Sequence, residues 1–345
     1  MSTTYRARVA DIAADAETLL RLWTANLQGH ANVHAHFDWH YLRPPLGPGG
    51  AFVLDATADG GTPEPVGCAG IGTRRFYRRG EPLRSALLGD LAVDPSHRTL
   101  FPALVLARAV RDRCRESFAL TYGFPNAAAA PLFQRLGFAA LGPMRRYARI
   151  LRVDPYVGRH VRWPPLARAL AAAPNASLGA ADIAHQWLAR GQSRLEWVKD
   201  VDARFDRLWA AAHASYPILG YRGSDFLRWR YLRRPGRPLA IAALCTGSEL
   251  EAYAVVQSDG AVAHLRDLFG RDEASLGRIL RALFPVLRRR GNTSVSVSLI
   301  APPRYLAVLE EASFSAREAT RPVVLDSTQV SAAEEWYLVD GDEDV

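Results

Sequence analysis

The order of apolar and polar positions predicts a succession of strands and helices in the first part of the chain. Alternation over Tyr5–Ile12 predicts a strand, and apolar residues at helical spacing in Ala14–Leu27 predict a helix. Further strands are predicted at 51–55, 65–76, Ser85–Val93, Phe118–Phe124 and Met144–Val153, and helices at Pro102–Glu116 and Asn126–Leu136. Strands that first meander and then alternate with helices indicate an α/β fold with a mixed, partly parallel central sheet.

A second stretch repeats this outline from about residue 193. Its predicted strands are 195–198, 238–246, 250–257, 262–270 and 294–299, and its predicted helices are 201–214, 274–290 and 304–312. Residues 154–192 lie between the two stretches and predict a linker with one or two surface helices.

A sequence repeat supports the same division. The shared patterns are Trp-x-Tyr-Leu-Arg-x-Pro at 39–45 and 229–235, and Arg-Leu-Trp at 21–23 and 207–209. Two patterns in the same order indicate two homologous halves, which we predict as residues 1–153 and 193–345. Trp39 and Trp229 occupy the same place in the two copies and are interpreted as core residues.

The composition of the chain mainly limits the class of partner that it would bind. The 345 residues, 49% hydrophobic and 23% charged, describe a globular protein large enough for two domains. There are 43 basic and 35 acidic residues, and Lys199 is the only lysine. A composition rich in arginine and alanine is typical of GC-rich coding sequences, so the net charge of +8 does not by itself indicate a nucleic-acid partner. The arginines are dispersed, and an anionic partner such as an acyl carrier protein, a nucleotide sugar or tRNA stays open. The acidic tail, residues 340–345, is interpreted as offsetting the charge locally.

Cysteine usage and hydropathy indicate the cellular environment. Cys68, Cys114 and Cys245 are scattered and form no Cys-x-x-Cys pair, which indicates neither a disulfide framework nor a zinc site. No signal peptide is recognisable, and no stretch reaches the roughly 18 apolar residues of a membrane span. We expect a soluble, cytoplasmic protein without a membrane span.

One strand–turn–helix segment carries the candidate chemistry. The strand ending at Val93 leads through a tight turn into the helix at Pro102, and the unpaired amides at a helix N-terminus favour a phosphate group. Arg98 lies just before this helix and adds a cation. Every α/β crossover has a helix N-terminus, however, so an ordinary structural crossover is the alternative.

The same segment resembles the GNAT superfamily of acetyl-CoA-dependent N-acyltransferases. The matching residues are Asp90-Leu91-Ala92-Val93, Pro95, Arg98 and Ala103, followed by Asn126, Ala129, Leu132-Phe133 and Gly137-Phe138. Phe101 replaces a glycine of the family pattern, and Phe133 stands where many members have a tyrosine. The resemblance implies two tandem GNAT-like domains and an acetyl-CoA or other acyl-CoA cosubstrate. It implies cosubstrate contacts at Leu91, Ala92, Val93, Arg98, Thr99, Leu100, Phe101, Ala103, Asn126 and Phe133.

The second half resembles this fold only faintly. Asp267 takes the place of Asp90, but the turn after it, residues 270–277, has two acids where a pyrophosphate would bind. Because like charges repel there, we expect this half to bind no coenzyme and Asp267 to help form the acceptor site. Fem-type aminoacyl transferases share such a double fold.

Acyl transfer from a thioester to an amine needs a proton acceptor and donors for the developing oxyanion. Asp90 is the candidate base implied by the resemblance, with pairing to an arginine or capping of the strand end as its alternative roles. The backbone amide of Leu91 or Val93 would bind the oxyanion. With Phe133 in the place of a tyrosine, the general acid is water, Tyr122 or Tyr147, or none is needed.

Four histidines, His30, His34, His36 and His40, lie between the first two predicted helices. The pairs 30/34 and 36/40 have a spacing that suits a metal on a helix, but no cysteine or clear carboxylate accompanies them. We predict no metal and interpret Asp38 and His40 as acceptor contacts.

These observations lead to one function and its alternatives. We expect an acyl-CoA-dependent N-acyltransferase whose first half is catalytic and whose acceptor is a small amine such as an amino sugar or amino acid. A Fem-like aminoacyl transferase, an acyl-carrier-protein-dependent enzyme and a non-catalytic binding module stay open.

Overall fold

The structure is a computed structural model that describes residues 3–27, 32–161, 163–188, 193–236 and 239–343. Its strands are β1 Thr3–Val9, β2 Gly50–Ala58, β3 Glu64–Arg78, β4 Glu81–Val93, β5 Leu120–Gly123, β6 Ala139–Ile150, β7 Ser193–Val198, β8 Ile218–Gly220, β9 Ala240–Thr246, β10 Glu249–Asp259, β11 Val262–Gly270, β12 Ser294–Ile300, β13 Ser315–Ser327 and β14 Leu338–Val339. Its α-helices are α1 Ala16–Asn26, α2 Val33–Phe37, α3 Leu100–Ser117, α4 Ala130–Arg135, α5 Asp154–His160, α6 Pro164–Leu188, α7 Ala203–Ala212, α8 Ser224–Leu227, α9 Glu273–Arg289 and α10 Pro303–Glu311.

Most of the strands join one continuous sheet. The order is β1-β2-β3-β4-β5-β13-β6-β12-β11-β10-β9-β7, with β14 beside β12 and β8 beside β3. The β4–β5 and β11–β12 pairs are parallel, and the other pairs of the sheet are antiparallel. The prediction of an α/β fold with a mixed, partly parallel sheet is therefore confirmed.

The two halves exchange a strand at the centre of this sheet. Strand β6 follows the elements of the first half but pairs with β12 of the second, from Ser294↔Ile150 onward. Strand β13 comes late in the chain but pairs with β5 of the first half. The division of the sheet therefore does not follow the predicted division of the chain into 1–153 and 193–345, which stays a prediction.

The repeated pattern forms the contact between the halves. Each copy folds into a π-helical turn, Asp38–Leu42 in the first half and Arg228–Leu232 in the second. The Trp39 and Trp229 rings stack with centroids 4.8 Å apart. Each indole Nε1 donates a 2.8 Å hydrogen bond to the backbone carbonyl of the other tryptophan. Such a reciprocal contact is typical of a two-fold arrangement, and both side chains are buried as predicted.

Long amphipathic helices cover the sheet and close the core. Helix α3 buries Leu106, Val110 and Cys114 against the first half, and α9 buries Leu280 and Leu283 against the second. The segment between the halves contains α5 and α6. Among the described residues, no helix is both long and apolar enough to span a membrane.

Candidate functional site

A cleft opens where the two parallel strands of the first half separate. Strands β4 and β5 pair from Ser85↔Leu120 to Leu88↔Gly123 and then diverge, while β4 stays paired with β3 on its other side. The cleft has a volume of about 270 Å³. It is lined by Leu27, Ala69, Gly70, Leu88, Gly89, Asp90, Leu91, Ala107, Val110, Gly123, Phe124, Pro125, Asn126, Ala129, Phe133 and Glu343. One backbone edge of β4 thus faces an open space beside apolar side chains.

A β-bulge shapes β4 at this point. The pairing with β3 passes from Gly89↔Gly70 to Ala92↔Cys68, so β4 carries an additional residue. Asp90 has a φ of +51°, a left-handed conformation that is uncommon for a residue other than glycine. The indole Nε1 of Trp23 donates a 2.9 Å hydrogen bond to the Asp90 carbonyl and helps to hold this conformation.

The Asp90 carboxylate is held by two partners from the segment after α1. The Tyr41 hydroxyl donates a 2.6 Å hydrogen bond to Asp90 Oδ2, and His36 Nε2 lies 3.3 Å from the same oxygen. An added Cβ at Gly70 would lie 1.8 Å from the Tyr41 hydroxyl, so this position has room only for glycine. The Asp90 side chain is 6% exposed and therefore lies at the border between the cleft and a buried polar network.

The two predicted acceptor contacts of this segment lie in different surroundings. Asp38 is at the surface, where its carboxylate accepts a 2.9 Å hydrogen bond from Arg43. His40 is buried, and its ring stacks on that of His36 with centroids 5.1 Å apart. Burial, together with the nearby charge of Arg74, lowers the pKa of His40 well below its usual range. His40 is therefore neutral at physiological pH, and the structure does not bring it together with Asp38.

The histidine cluster was also considered as a metal site. His30 lies outside the described residues. Elsewhere in the described part of the chain, no group of three or more His, Cys, Asp or Glu side chains converges as metal ligands.

The N-terminus of α3 borders the turn that follows β4. Thr99 occupies its N-cap position, but the side chain makes no capping hydrogen bond. Pro102 has no N–H, which leaves the Leu100 and Phe101 amides in the first turn, where intrahelical acceptors are lacking. The side chains of Leu100 and Phe101 are 48% and 62% exposed. This helix terminus is therefore open to an anion.

Arg98 connects this turn to its surroundings. Its Nε donates a 3.1 Å hydrogen bond to the Val93 carbonyl, and a terminal guanidinium nitrogen donates a 3.0 Å hydrogen bond to Asn26 Oδ1. The residue as a whole stays exposed, so its charge lies beside the open helix terminus.

The other predicted cosubstrate contacts separate into two groups. Leu91, Asn126 and Phe133 line the cleft. Ala92 and Val93 are buried in the core beneath it. Ala103 is half-buried between two core clusters.

The two tyrosines predicted as general acids are not among the cleft residues. Tyr122 is 2% exposed, and its hydroxyl donates a 2.8 Å hydrogen bond to the backbone carbonyl of Asp342. Tyr147 packs against the core of the second half. No tyrosine is thus found among the described residues that line the cleft.

Asp267 is fully buried and does not reach the cleft. Its carboxylate accepts hydrogen bonds from Arg222 Nε at 3.1 Å and from the hydroxyls of Tyr231 and Tyr253 at 2.9 and 3.1 Å. Tyr231 is the repeat counterpart of Tyr41, so both halves build an Asp–Tyr pair at the same place. Because its oxygens are committed to this cluster, we no longer assign Asp267 to the acceptor.

The helix that follows Asp267 has a closed N-terminus. Asp272 caps α9 by accepting a 2.7 Å hydrogen bond from the Ser275 amide, and the Ser275 hydroxyl lies 3.1 Å from the Asp272 amide. Glu273 beside it is paired with Arg304. The site that is open in the first half is therefore occupied by the protein's own carboxylate in the second.

The sequence does not identify Glu343 or Tyr41 as site residues, and it marks His36 only as a possible metal ligand. The acidic tail was interpreted as a local balance of surface charge, but Asp340, Asp342 and Glu343 are buried. The Tyr-containing repeat was the available signal for Tyr41. For Glu343, within a run of acids, the local sequence offers no signal.

Comparison with known proteins finds a family match in the part of the chain that forms most of the cleft. The sequence profile of the acetyltransferase (GNAT) family matches residues 15–138. A probable N-acyltransferase from Enterococcus faecalis V583 is similar in structure, with a TM-score of 0.63, 11% identity and coverage of 96% of this chain and 74% of the other. A GCN5-related N-acetyltransferase from Kribbella flavida has a TM-score of 0.59 and 15% identity over 96% and 73% of the two chains.

A third similar structure covers the whole chain. It is the N-myristoyltransferase of Saccharomyces cerevisiae, solved with bound myristoyl-CoA, with a TM-score of 0.57 and 10% identity over 100% of this chain and 85% of the other. At these identities the solved structures establish a shared fold alone. No protein with a curated description matches the sequence.

Proposed function

We propose that the chain is an acyl-CoA-dependent N-acyltransferase with its active site in the first half. The match of residues 15–138 to the sequence profile of the acetyltransferase (GNAT) family supports this proposal. The observation that carries the proposal is the cleft between β4 and β5 together with the open N-terminus of α3. In the second half, the Asp272 carboxylate closes the N-terminus of the corresponding helix.

The described residues fit a long thioester with a charged end. The free edge of β4 and the apolar walls formed by Leu91, Val110 and Phe133 suit an extended pantetheine arm. The Leu100 and Phe101 amides at the start of α3 suit the pyrophosphate, with Arg98 and Thr99 beside them. Acyl-CoA would supply the activated acyl group, and the protein would hold and orient it.

Asp90 is the proposed base for the acceptor amine. It borders the cleft, and its Oδ2 is held by Tyr41 and His36, which fixes the carboxylate in place. An ammonium that gives one proton to this carboxylate becomes a neutral amine, which attacks the thioester carbonyl; the C–N bond forms and the C–S bond breaks. The Leu91 or Val93 amide would bind the oxyanion.

Protonation of the leaving group needs no tyrosine. A thiolate with an ordinary pKa of about 8.5 leaves readily, and it takes up the second proton, which the amine nitrogen loses as the C–S bond breaks. The absence of Tyr122 and Tyr147 from the described cleft residues is compatible with this step.

The acceptor is proposed to be a small amine, such as an amino sugar or an amino acid. Release of free thiol from acetyl-CoA and longer acyl-CoAs in the presence of an amine panel tests the reaction. Asp90→Asn is the informative variant, because asparagine also tolerates a left-handed backbone but cannot accept the proton. Asp112→Asn, an exposed aspartate of α3, serves as the matched control.

We expect turnover in the wild type and in Asp112→Asn, and a loss of about a hundredfold in Asp90→Asn, as for removal of a general base. Unchanged turnover in Asp90→Asn would remove Asp90 as the base. Tight acyl-CoA binding without thiol release for any amine would contradict catalysis and favour a binding module.

A further inference from the structure

The C-terminal part of the second half reaches into the cleft of the first. This tail segment, Leu338–Glu343, consists of β14 and a short helical turn, and Glu343 lines the cleft. Glu343 is 7% exposed, which is unusual for a glutamate in a run of acids.

Buried arginines of the second half hold the tail segment. Arg230 Nε donates a 2.9 Å hydrogen bond to the Gly341 carbonyl, and a terminal nitrogen of Arg230 donates a 2.7 Å hydrogen bond to the Glu343 carbonyl. Arg222 donates a 2.7 Å hydrogen bond to the Asp342 carboxylate. Both arginines are 1% exposed, so their charges interact with the tail segment and its buried neighbours and not with solvent.

The first half and the packing of the repeat also position the tail segment. The Tyr122 hydroxyl of the first half donates to the Asp342 carbonyl. An added Cβ at Gly341 would lie 1.9 Å from the Tyr231 hydroxyl, so the backbone is packed closely against the repeat. The tail segment is therefore fixed from both halves and presents Glu343 at a defined place.

The charge of the cleft points to the ligand. Among the described residues that line it, two are carboxylates, Asp90 and Glu343, and none is basic, although the protein has a net charge of +8. Glu343 Oε2 contacts Arg321 of β13, whose side chain is 40% exposed. A carboxylate accepts several donors, so Glu343 can bind a cation in the cleft in addition to this arginine.

We propose that Glu343 is the acceptor-binding carboxylate, which receives the ammonium group of a cationic alkylamine and makes the second half an essential part of the first half's site. This inference rests on the proposed function, because the ammonium would lie next to the thioester. It defines the acceptor class as amines that are charged in solution and disfavours uncharged arylamines.

Two coenzyme A thioethers test the inference without knowledge of the acceptor. S-aminoethyl-coenzyme A places an ammonium just beyond the sulfur, and S-propyl-coenzyme A is its uncharged counterpart. Isothermal titration of the intact chain should show binding of the ammonium probe about tenfold tighter than the neutral probe, the effect of one charged hydrogen bond. Glu343→Gln should abolish this preference, whereas Glu335→Gln, an exposed glutamate just before the tail segment, should keep it.

A second variant covers the case in which Glu343→Gln fails to fold. Arg321→Gln removes the competing guanidinium and should increase the preference for the ammonium probe. Equal affinities in the wild type, a preference that persists in a folded Glu343→Gln, or no change in Arg321→Gln would overturn the inference while leaving acyl-CoA binding intact. Failure of both probes to bind would instead overturn the proposed function, and this inference with it.

Discussion

Gly70→Ala tests whether the Asp90–Tyr41 pair is built as the structure shows. The added Cβ would lie 1.8 Å from the Tyr41 hydroxyl and 2.6 Å from Cζ, so the ring must leave its place. Tyr41 is fully buried and stacks on Trp23 with centroids 5.0 Å apart. Its displacement removes the 2.6 Å hydrogen bond to Asp90 as well as this stacking.

The expected decrease in the free energy of unfolding is the sum of these two losses. A hydrogen bond to a charged group contributes about 1.5–3 kcal/mol, and an aromatic pair about 0.5–1.5 kcal/mol. We therefore expect Gly70→Ala to lower the free energy of unfolding by about 2–4.5 kcal/mol, which for a chain of 345 residues corresponds to a decrease in Tm of about 3–6 °C. Tyr41→Phe should lose only the hydrogen-bond part of this.

Thermal and urea unfolding measure the difference, with Gly50→Ala as the control. At Gly50 on β2 the nearest atom to an added Cβ is Ile71 Cβ at 3.8 Å, so the expected change stays within about 0.5 kcal/mol. If Gly70→Ala unfolded at the same temperature and urea concentration as Gly50→Ala, the Tyr41 ring could not occupy the space beside Asp90.

Three further variants test the capping difference, the buried histidine and the contact between the halves. Asp272→Ala should lower the free energy of unfolding by about 1 kcal/mol because it removes a helix cap. Thr99→Ala removes no capping hydrogen bond and should change this free energy little. Equal decreases in urea unfolding would contradict the difference between the two helix N-termini. The pKa of His40 is lowered in the folded state, so the unfolded state binds more protons and stability is lost as pH falls through about 6.5. Between pH 7 and 5, urea unfolding should show a smaller decrease in the free energy of unfolding for His40→Gln than for the wild type. The same pH dependence in both proteins would count against a neutral, buried His40. Trp39→Ala should lower the free energy of unfolding by about 3–5 kcal/mol because it removes the ring that stacks on Trp229. A decrease under about 1 kcal/mol in calorimetry would show that this contact does not hold the halves together.

Local pattern was sufficient for much of the fold around the cleft. Strand β4 ends at Val93 as predicted, because the largely apolar run Ser85–Val93 is followed by Asp94 and Pro95. The strand–turn–helix after Asp90 was predicted for the same reason. The resemblance to the GNAT superfamily implied Leu91, Asn126 and Phe133 as cosubstrate contacts, and these residues line the cleft.

The exchange of strands could not be predicted in this way. A strand such as β13 carries no local mark of its partner, and its pairing with β5 joins residues about 200 positions apart. That pairing is decided by the sum of contacts in the assembled sheet. The predicted boundary between the halves, drawn along the chain, therefore does not describe how the sheet is shared.

The polar network of the site escaped prediction for a related reason. The left-handed Asp90 depends on a bulge opposite Ala69, and the burial of Glu343 depends on Arg222 and Arg230 of a distant segment. Acids in a short tail ordinarily face solvent, so only the tertiary structure distinguishes Glu343 from a solvated glutamate.

Isothermal titration of the intact chain with acetyl-CoA tests the central claim most directly, namely that the first half alone holds the thioester. Ala129 lines the cleft and Ala128 beside it is exposed, so Ala129→Trp should block the cleft while Ala128→Trp serves as its matched control. We predict one acetyl-CoA per chain in the wild type and in Ala128→Trp, and no measurable binding in Ala129→Trp. Two sites per chain, or full binding by Ala129→Trp, would contradict this account.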